Sequence, residues 1–362
     1  MKILILSANT GGGHNSTALA IGEAVAKRGI SYEIADTLAF ISKKASDFIS
    51  WGHSYVYRKL PHLFGIGYRY EERHSARFLY KQCAKGADAL SESLRDGHFD
   101  AVVCTHVFSG LMMTEVRRKY QVSLPTYFIA TDYTCSPGVS EMHLDGYFIP
   151  HRMLRAEFIR CGVPADRLHA CGIPVRAEFY ETDDRVLIRR ALKLPVNKKI
   201  LLLACGSMGC GRLEKHALRL CGQLPEDTAL VVLCGTNGQL YQRLLPHASE
   251  RFRVLRFTER VEMYMAAADA YVTKPGGLTT TEAIAKRLPM LLVDAVPGLE
   301  TRNFDFLIGR GVACGTKRWS EIPELADRLL WDEGLRQAQI KAMASFGGQT
   351  AAQDVCARLL GE

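Results

Sequence analysis

The chain has 362 residues, of which 48% are hydrophobic and 23% charged, with 11 cysteines and a formal net charge of +8. That length favours two domains over a single core, and the composition excludes a disordered chain. No apolar run approaches the ~20 residues that cross a bilayer, and Met1 to Ser7 is too short and turns polar too soon for a secretory signal.

None of the cysteines forms a CxxC pair, and several lie inside apolar runs such as Val103-Cys104-Thr105 and Leu233-Cys234-Gly235. They read as small buried hydrophobes in a reducing cytosol, not as a disulfide frame or a zinc site. The basic excess fits nucleic acid, an anionic lipid surface or an ordinary solvated surface. No helix-turn-helix, RNA-recognition or zinc-finger signature supports nucleic acid.

Along the chain, short apolar runs alternate with longer amphipathic segments. Ile3 to Leu6, Ala101 to Cys104, Thr126 to Ala130 and Gly146 to Ile149 read as strands. Ser16 to Lys27, Phe108 to Tyr120 and Met153 to Cys161 read as helices. The pattern restarts after Gly172-Ile173-Pro174, with strands at Ile200 to Ala204, Leu230 to Cys234, Val254 to Phe257, Ala270 to Thr273 and Met290 to Val293. Helices at Arg212 to Gln223 and Thr279 to Arg287 lie between them.

Strand–helix alternation predicts parallel sheets covered on both faces, here as two Rossmann-like, doubly wound α/β domains facing a cleft. Residues 1–172 form the first domain, 173–184 a linker and 185–345 the second. Residues 346–362 form a C-terminal helix packing back on the first domain.

No GxxxxGK[ST], HExxH, GxSxG or Asp-x-Asp motif is present, which argues against P-loop chemistry and removes a common metal–diphosphate motif. The informative segments are glycine-rich turns after strands. In the first, Gly11-Gly12-Gly13-His14 precedes a helix start near Ser16. Glycines let a ligand approach the backbone, the helix start favours an anion, and His14 projects from a rigid turn.

The second turn is Cys205-Gly206-Ser207-Met208-Gly209-Cys210-Gly211, which by itself serves either a dinucleotide or only the fold. In the third, Lys274-Pro275-Gly276-Gly277-Leu278-Thr279-Thr280-Thr281-Glu282, Thr279 and Thr280 open a helix able to bind a diphosphate. Glu282, one turn on, can accept both hydroxyls of a ribose. The same residues also read as a capping box, with Thr279 as N-cap and Glu282 as its partner. Lys274 either adds charge at the diphosphate or faces solvent.

These segments, with Thr105-His106-Val107-Phe108, Thr131-Asp132-Tyr133-Thr134, Gly172-Ile173-Pro174-Val175-Arg176 and Val296-Pro297-Gly298, carry a resemblance over nearly the whole chain. It resembles the monogalactosyldiacylglycerol synthases and processive diacylglycerol glucosyltransferases. More distantly it is similar to the lipid-linked N-acetylglucosaminyltransferase of peptidoglycan synthesis. The resemblance implies a GT-B fold, a UDP-sugar donor, inversion at the anomeric carbon and no obligatory metal or other cofactor.

Carried over by position, the resemblance implies His14 as catalytic base and Glu282 as the ribose ligand. Gly276, Gly277, Thr279 and Thr280 become the diphosphate-binding helix start. Phe257 and Thr258 become the strand end that pairs with uracil, and Gly206, Ser207, Gly209 and Gly211 the loop over the nucleotide. Gly12, Gly13, Lys274 and Leu278 complete the donor set. Where the family reads Pro-Gly-Gln-Glu at the sugar-contacting turn, this chain has Pro297-Gly298-Leu299-Glu300. Leu299 cannot hydrogen-bond a hydroxyl, which leaves Glu300 and Asn303 for the sugar.

An acceptor hydroxyl attacks poorly until it loses its proton, and a histidine suits that task near neutral pH. His14 is the leading base, with Asp132 and His106, both at strand ends, as further candidates. From Trp51 to Gln82, aromatic and basic residues interleave, with Trp51, Tyr55, Tyr57, Arg58 and Lys59 at the start. Such a segment suits a membrane–water interface, an amphipathic helix pair packed on the sheet, or stacked single-stranded nucleic acid.

The reading that follows is a hexosyltransferase acting on a lipid, with diacylglycerol favoured. It would work at the cytoplasmic face of the membrane, in peripheral contact with anionic lipid and without nucleic acid. The competing functions are an N-acetylglucosamine transfer to a polyprenyl-linked acceptor, a UDP-sugar 2-epimerase and a non-catalytic UDP-sugar sensor.

Overall fold

The structure, a computed structural model, describes residues 1–9, 11–42, 65–68, 77–181 and 184–362. Trp51, Tyr55, Tyr57, Arg58 and Lys59 lie outside the described residues. The chain divides into two compact units, one of residues 1–176, 297–299 and 347–362, the other of residues 177–296 and 300–346.

The first unit runs β1 (Lys2–Ser7), α1 (Gly12–Ala26), β2 (Ser31–Asp36), α2 (Arg77–Ala84), α3 (Ala87–Gly97) and β3 (Ala101–Cys104). It continues with α4 (Val107–Tyr120), β4 (Thr126–Ile129), β5 (Gly146–Ile149), α5 (Arg155–Arg160) and β6 (Leu168–Ala170). The strands pair in parallel in the order β2-β1-β3-β4-β5-β6. Ile3, Leu4, Ile5 and Leu6 are all fully buried, as a strand covered on both faces requires.

The second unit runs α6 (Arg185–Ala191), β7 (Lys199–Ala204), α7 (Leu213–Gln223), β8 (Thr228–Leu233), α8 (Gly238–Leu244), β9 (Phe252–Leu255), α9 (Val261–Ala267) and β10 (Ala270–Thr273). After these come α10 (Gly277–Ala285), β11 (Met290–Leu292), α11 (Leu299–Gly309), β12 (Cys314–Gly315), α12 (Ile322–Trp331) and α13 (Glu333–Phe346). Its parallel sheet has the order β12-β11-β10-β7-β8-β9. Leu201, Leu203, Val232, Val272 and Leu291 from the sheet form one core with Leu329 and Leu330 of α12. Full burial of each such side chain stabilises by roughly 1.5–3 kcal/mol.

The last helix, α14 (Ala351–Leu359), packs on α1. Its Val355, Cys356 and Leu359 join a core with Ile3, Ile5, Ile21 and Val103.

Two ion-pair anchors hold the amino ends of strands in these sheets. Arg189 donates to Asp269 Oδ2 at 2.7 Å and to the Ala267 carbonyl at 2.9 Å, and the same carboxylate oxygen accepts from Ile200 N at 2.7 Å. Both side chains are buried, so removing one partner would cost about 3–5 kcal/mol. In the first unit, Arg117 grips Asp145 with two bonds of 2.8 and 2.9 Å.

β2, β6 and β12 have no counterpart among the strands read from the sequence. β2 mixes exposed and half-buried positions at a sheet edge, and the other two are only two or three residues long. Edge strands lack the continuous apolar run that betrays a central one.

Candidate active site

In the first sheet β1 lies between β2 and β3, so the winding direction reverses there. The carboxyl ends of the two strands flanking such a reversal leave a crevice for ligands. His14 follows β1 and Thr105 follows β3, so both stand at this point.

The helix after β1 begins earlier than the sequence suggests. Its N-cap is Gly11, and Gly12 and Gly13 form its first turn, which makes His14 the third helical residue. His14 Nδ1 lies 2.8 Å from the Thr105 carbonyl oxygen and 3.1 Å from Thr131 Oγ1. A carbonyl only accepts, so the hydrogen-bond network assigns the proton to Nδ1 and leaves the lone pair of the neutral ring on Nε2. The Thr105 hydroxyl donates to the His14 carbonyl at 3.2 Å, which closes a second contact between the same two residues.

His106 is wired the other way. It is the N-cap of α4, and its Nδ1 accepts from Phe108 N at 3.0 Å. Its neutral ring therefore keeps the proton on Nε2. The ring stands edge-on to His14, centroids 4.4 Å apart. Asp132, half-buried, directly follows Thr131 in the turn after β4. Beneath the site, Ser7 donates to Asn15, Asn15 to Asn9 and Asn9 to Asp36, at 2.5, 2.8 and 3.1 Å. This chain of bonds fixes the β1–α1 turn to the end of β2.

In the second sheet the reversal falls between β7 and β10. The two glycine-rich turns of this unit follow those strands. The turn after β7 has Gly206, Gly209 and Gly211 at φ of 72, 56 and 81°. At Gly209 a Cβ would come within 2.2 Å of the Cys234 carbonyl, so only glycine fits.

The turn after β10 starts α10 with Gly276 as N-cap and no side-chain cap. The capping-box reading is therefore corrected: Thr279 is inside the helix. Thr280 is fully buried, and its hydroxyl donates to the Gly276 carbonyl at 2.7 Å. The hydroxyl that remains toward a ligand is that of Thr279, with the first-turn N–H groups of Gly277, Leu278 and Thr279. Glu282, half-buried, lies one turn on.

Lys274 does not face solvent: it is buried and pairs with Glu300 at 3.2 Å. Glu300 also accepts from Val296 N at 2.8 Å, and the fully buried Asn303 donates to the Pro275 carbonyl at 2.9 Å. Asn303 thus braces the backbone of the turn after β10 and Glu300 that of the turn after β11.

The monogalactosyldiacylglycerol synthase family matches residues 14–175, and the C-terminal domain of glycosyltransferase family 28 matches residues 200–297. The processive diacylglycerol beta-glucosyltransferase of Bacillus licheniformis is 29% identical over 348 residues, 92% of this chain and 87% of that protein. The chain is a UDP-sugar-dependent glycosyltransferase, and over residues 14–175 it is similar to the monogalactosyldiacylglycerol synthases.

The fold agrees. Acinetobacter baumannii MurG superposes with a TM-score of 0.62 at 17% identity, over 100% of this chain and 99% of that one. The UDP-GlcNAc 2-epimerase of Neisseria meningitidis bound to UDP-GlcNAc does so with 0.64 at 14%, over the full length of both. Transferases and epimerases share this GT-B architecture, so the fold alone does not separate them.

In this glycosyltransferase the sequence-derived residues fall into two groups, one per unit. The first unit brings His14 and His106 into contact and sets Asp132 beside Thr131, a partner of His14. The second unit gathers Gly206, Ser207, Gly209 and Gly211 after β7 and Gly276, Gly277, Leu278, Thr279, Thr280 and Glu282 after β10. β9 ends at Leu255, two residues short of Phe257, which is 56% exposed. Thr258 Oγ1 accepts from Arg260 N at 3.1 Å, turning the chain there.

Thr105 and Thr131 as supports of His14 were not read from the sequence, because their contacts join β1, β3 and β4 across about 90 to 120 residues. Among the described residues no group of three or more His, Cys, Asp or Glu side chains is arranged to hold a metal ion. No helix among them is long and apolar enough to cross a membrane.

Proposed function

We propose that this glycosyltransferase moves a hexose from a UDP-sugar to diacylglycerol, with inversion, at the cytoplasmic surface of the membrane. The observation that carries the chemistry is the Nδ1–H bond of His14 to the Thr105 carbonyl. It commits Nε2 to accepting a proton and holds the ring in one orientation. In the reaction, His14 Nε2 takes the proton of the acceptor hydroxyl, and the oxygen attacks the anomeric carbon from the side opposite UDP. The bond from that carbon to the phosphate oxygen breaks, and UDP leaves with the electron pair.

The N-terminus of α10, capped by no side chain, receives the diphosphate, and its dipole stabilises the charge that develops there. Glu282 holds the ribose, and the Phe257–Thr258 segment faces uracil. The acceptor and the hexose, glucose in first place, are carried over from the processive diacylglycerol beta-glucosyltransferases of Bacillus. Peripheral membrane contact is assigned to the aromatic and basic segment that begins at Trp51.

The test is UDP release with UDP-glucose, UDP-galactose or UDP-N-acetylglucosamine, in vesicles with and without diacylglycerol, with a chelator present. Release that needs diacylglycerol and survives the chelator is expected. Release only with a polyprenyl-linked acceptor, or interconversion of the sugar without an acceptor, would replace this reading. UDP binding without turnover on any acceptor would make the chain a sensor.

A further inference from the structure

The second unit has two helices that begin at the winding reversal, α7 and α10, and each offers an N-terminus to an anion. They differ in one respect. The N-terminus of α10 has no side-chain cap. At α7, whose N-cap Arg212 likewise has no side-chain cap of its own, the N-cap N–H is already taken by another element: Asp294 Oδ2, from the turn after β11, accepts from Arg212 N at 2.7 Å. The same oxygen accepts from His216 Nε2 at 2.8 Å, and His216, one turn into α7, is buried.

We infer that Asp294, oriented by His216, is a built-in anion that closes the N-terminus of α7 and fixes the glycine-rich loop 206–211 as a preset wall of the donor site. The diphosphate is thereby directed to α10. The inference rests on the donor reading above and assigns Asp294 and His216 as positioning residues for it.

The loop is held from both ends. At its far end Gly211, at φ 81°, lies so close that a Cβ would be 3.0 Å from Asp294 Oδ2. Toward its middle, Asn237 Nδ2 donates to the Gly209 carbonyl at 3.1 Å and Thr236 N to the Ser207 carbonyl at 2.8 Å. Asp294 itself sits at φ 49°, a left-handed conformation that a residue with a Cβ adopts at a cost. That strained backbone is what carries its carboxylate across to α7. Burial raises the Asp294 carboxyl, but the bonds from His216 and Arg212 outweigh it and hold it below its ordinary range. It therefore stays ionised near neutral pH, as an internal anion must.

Two measurements test this on the full chain: UDP affinity by calorimetry, and hydrogen exchange of residues 206–211 without nucleotide. Asp294→Ala should weaken UDP binding about tenfold and speed exchange of the loop. Sodium acetate, against sodium chloride at equal ionic strength, should restore much of the affinity by refilling the vacated anion position. Asp294→Asn, whose amide oxygen can still accept both bonds but carries no charge, should fall between wild type and Asp294→Ala; affinity equal to wild type would remove the anionic part of the inference.

Unchanged loop exchange and UDP affinity in Asp294→Ala, whatever its melting temperature, would overturn the inference, as would a loss that acetate does not reverse. If Asp294→Ala does not fold, His216→Asn takes its place. Faster loop exchange and weaker UDP binding support the inference, and wild-type values sink it. A wild-type protein that binds no UDP fails the donor reading instead, and the loop exchange still judges the role of Asp294.

Discussion

The Nδ1 of His14 and the carbonyl oxygen of Thr105 lie 2.8 Å apart, joining the first turn of α1 to the end of β3. Because the carbonyl can only accept, this contact selects the tautomer in which Nε2 is the basic nitrogen. His106, in ring contact with His14, has the opposite assignment through its bond from Phe108 N.

His14→Gln should therefore lower kcat about 10²- to 10⁴-fold while leaving UDP binding near wild type. Steady-state kinetics with calorimetry checks this. His106→Gln should lose far less, and equal losses in the two variants would contradict the tautomer assignment.

Thr131 touches Nδ1 from a third strand, at 3.1 Å. Thr131→Val keeps the shape and removes the hydroxyl, so kcat should fall several-fold, on the order of one hydrogen bond's worth. Thr131→Ser should recover most of it. A changed KM for the donor with an unaltered kcat would place Thr131 elsewhere in the reaction.

Glu282 lies on α10, one turn beyond Thr279. Glu282→Gln should raise the donor KM and the UDP Kd by about tenfold or more, because a carboxylate accepting hydroxyl protons is worth roughly 1.5–3 kcal/mol. Binding of UDP against its 2′,3′-dideoxy analogue, which lacks only the two ribose hydroxyls, isolates the contact: the variant should weaken UDP and spare the analogue.

The Arg117–Asp145 pair contributes to the acid sensitivity of the first unit. Burial raises the Asp145 carboxyl, but the two Arg117 bonds and the Thr126 N–H outweigh it, and its folded value lies below the ordinary one. A depressed folded value means the contribution is complete above the unfolded pKa, near 4, and disappears as pH falls through the folded value. The side chain is 38% exposed, so solvent screening keeps this to about 1 kcal/mol. Denaturant unfolding from about pH 6 down to about pH 3 should show a shallower pH dependence in Asp145→Asn than in wild type.

Central strands were legible in the sequence because a strand covered on both faces must be largely apolar, as Ala101 to Cys104 and Ile200 to Ala204 are. The glycine runs marked the turns after β1, β7 and β10, and in the turn after β7 Gly209 has no room for a Cβ. Helix starts were misplaced at both informative turns. Gly12–Gly13 and Gly277 belong to helices although glycine is a poor helix former, because packing against the sheet overrides propensity.

By itself the sequence determined the strand–helix alternation and the glycine-rich turns, and it singled out His14 and Glu282 as candidates for the chemistry. These are local patterns, written in adjacent residues. Only the tertiary structure decided which nitrogen of His14 is basic, that Lys274 is paired with Glu300, and that Asp294 occupies the start of α7. Each of these depends on a contact between residues 26 to 91 positions apart, and no periodicity or motif reports which groups the winding of a sheet brings together.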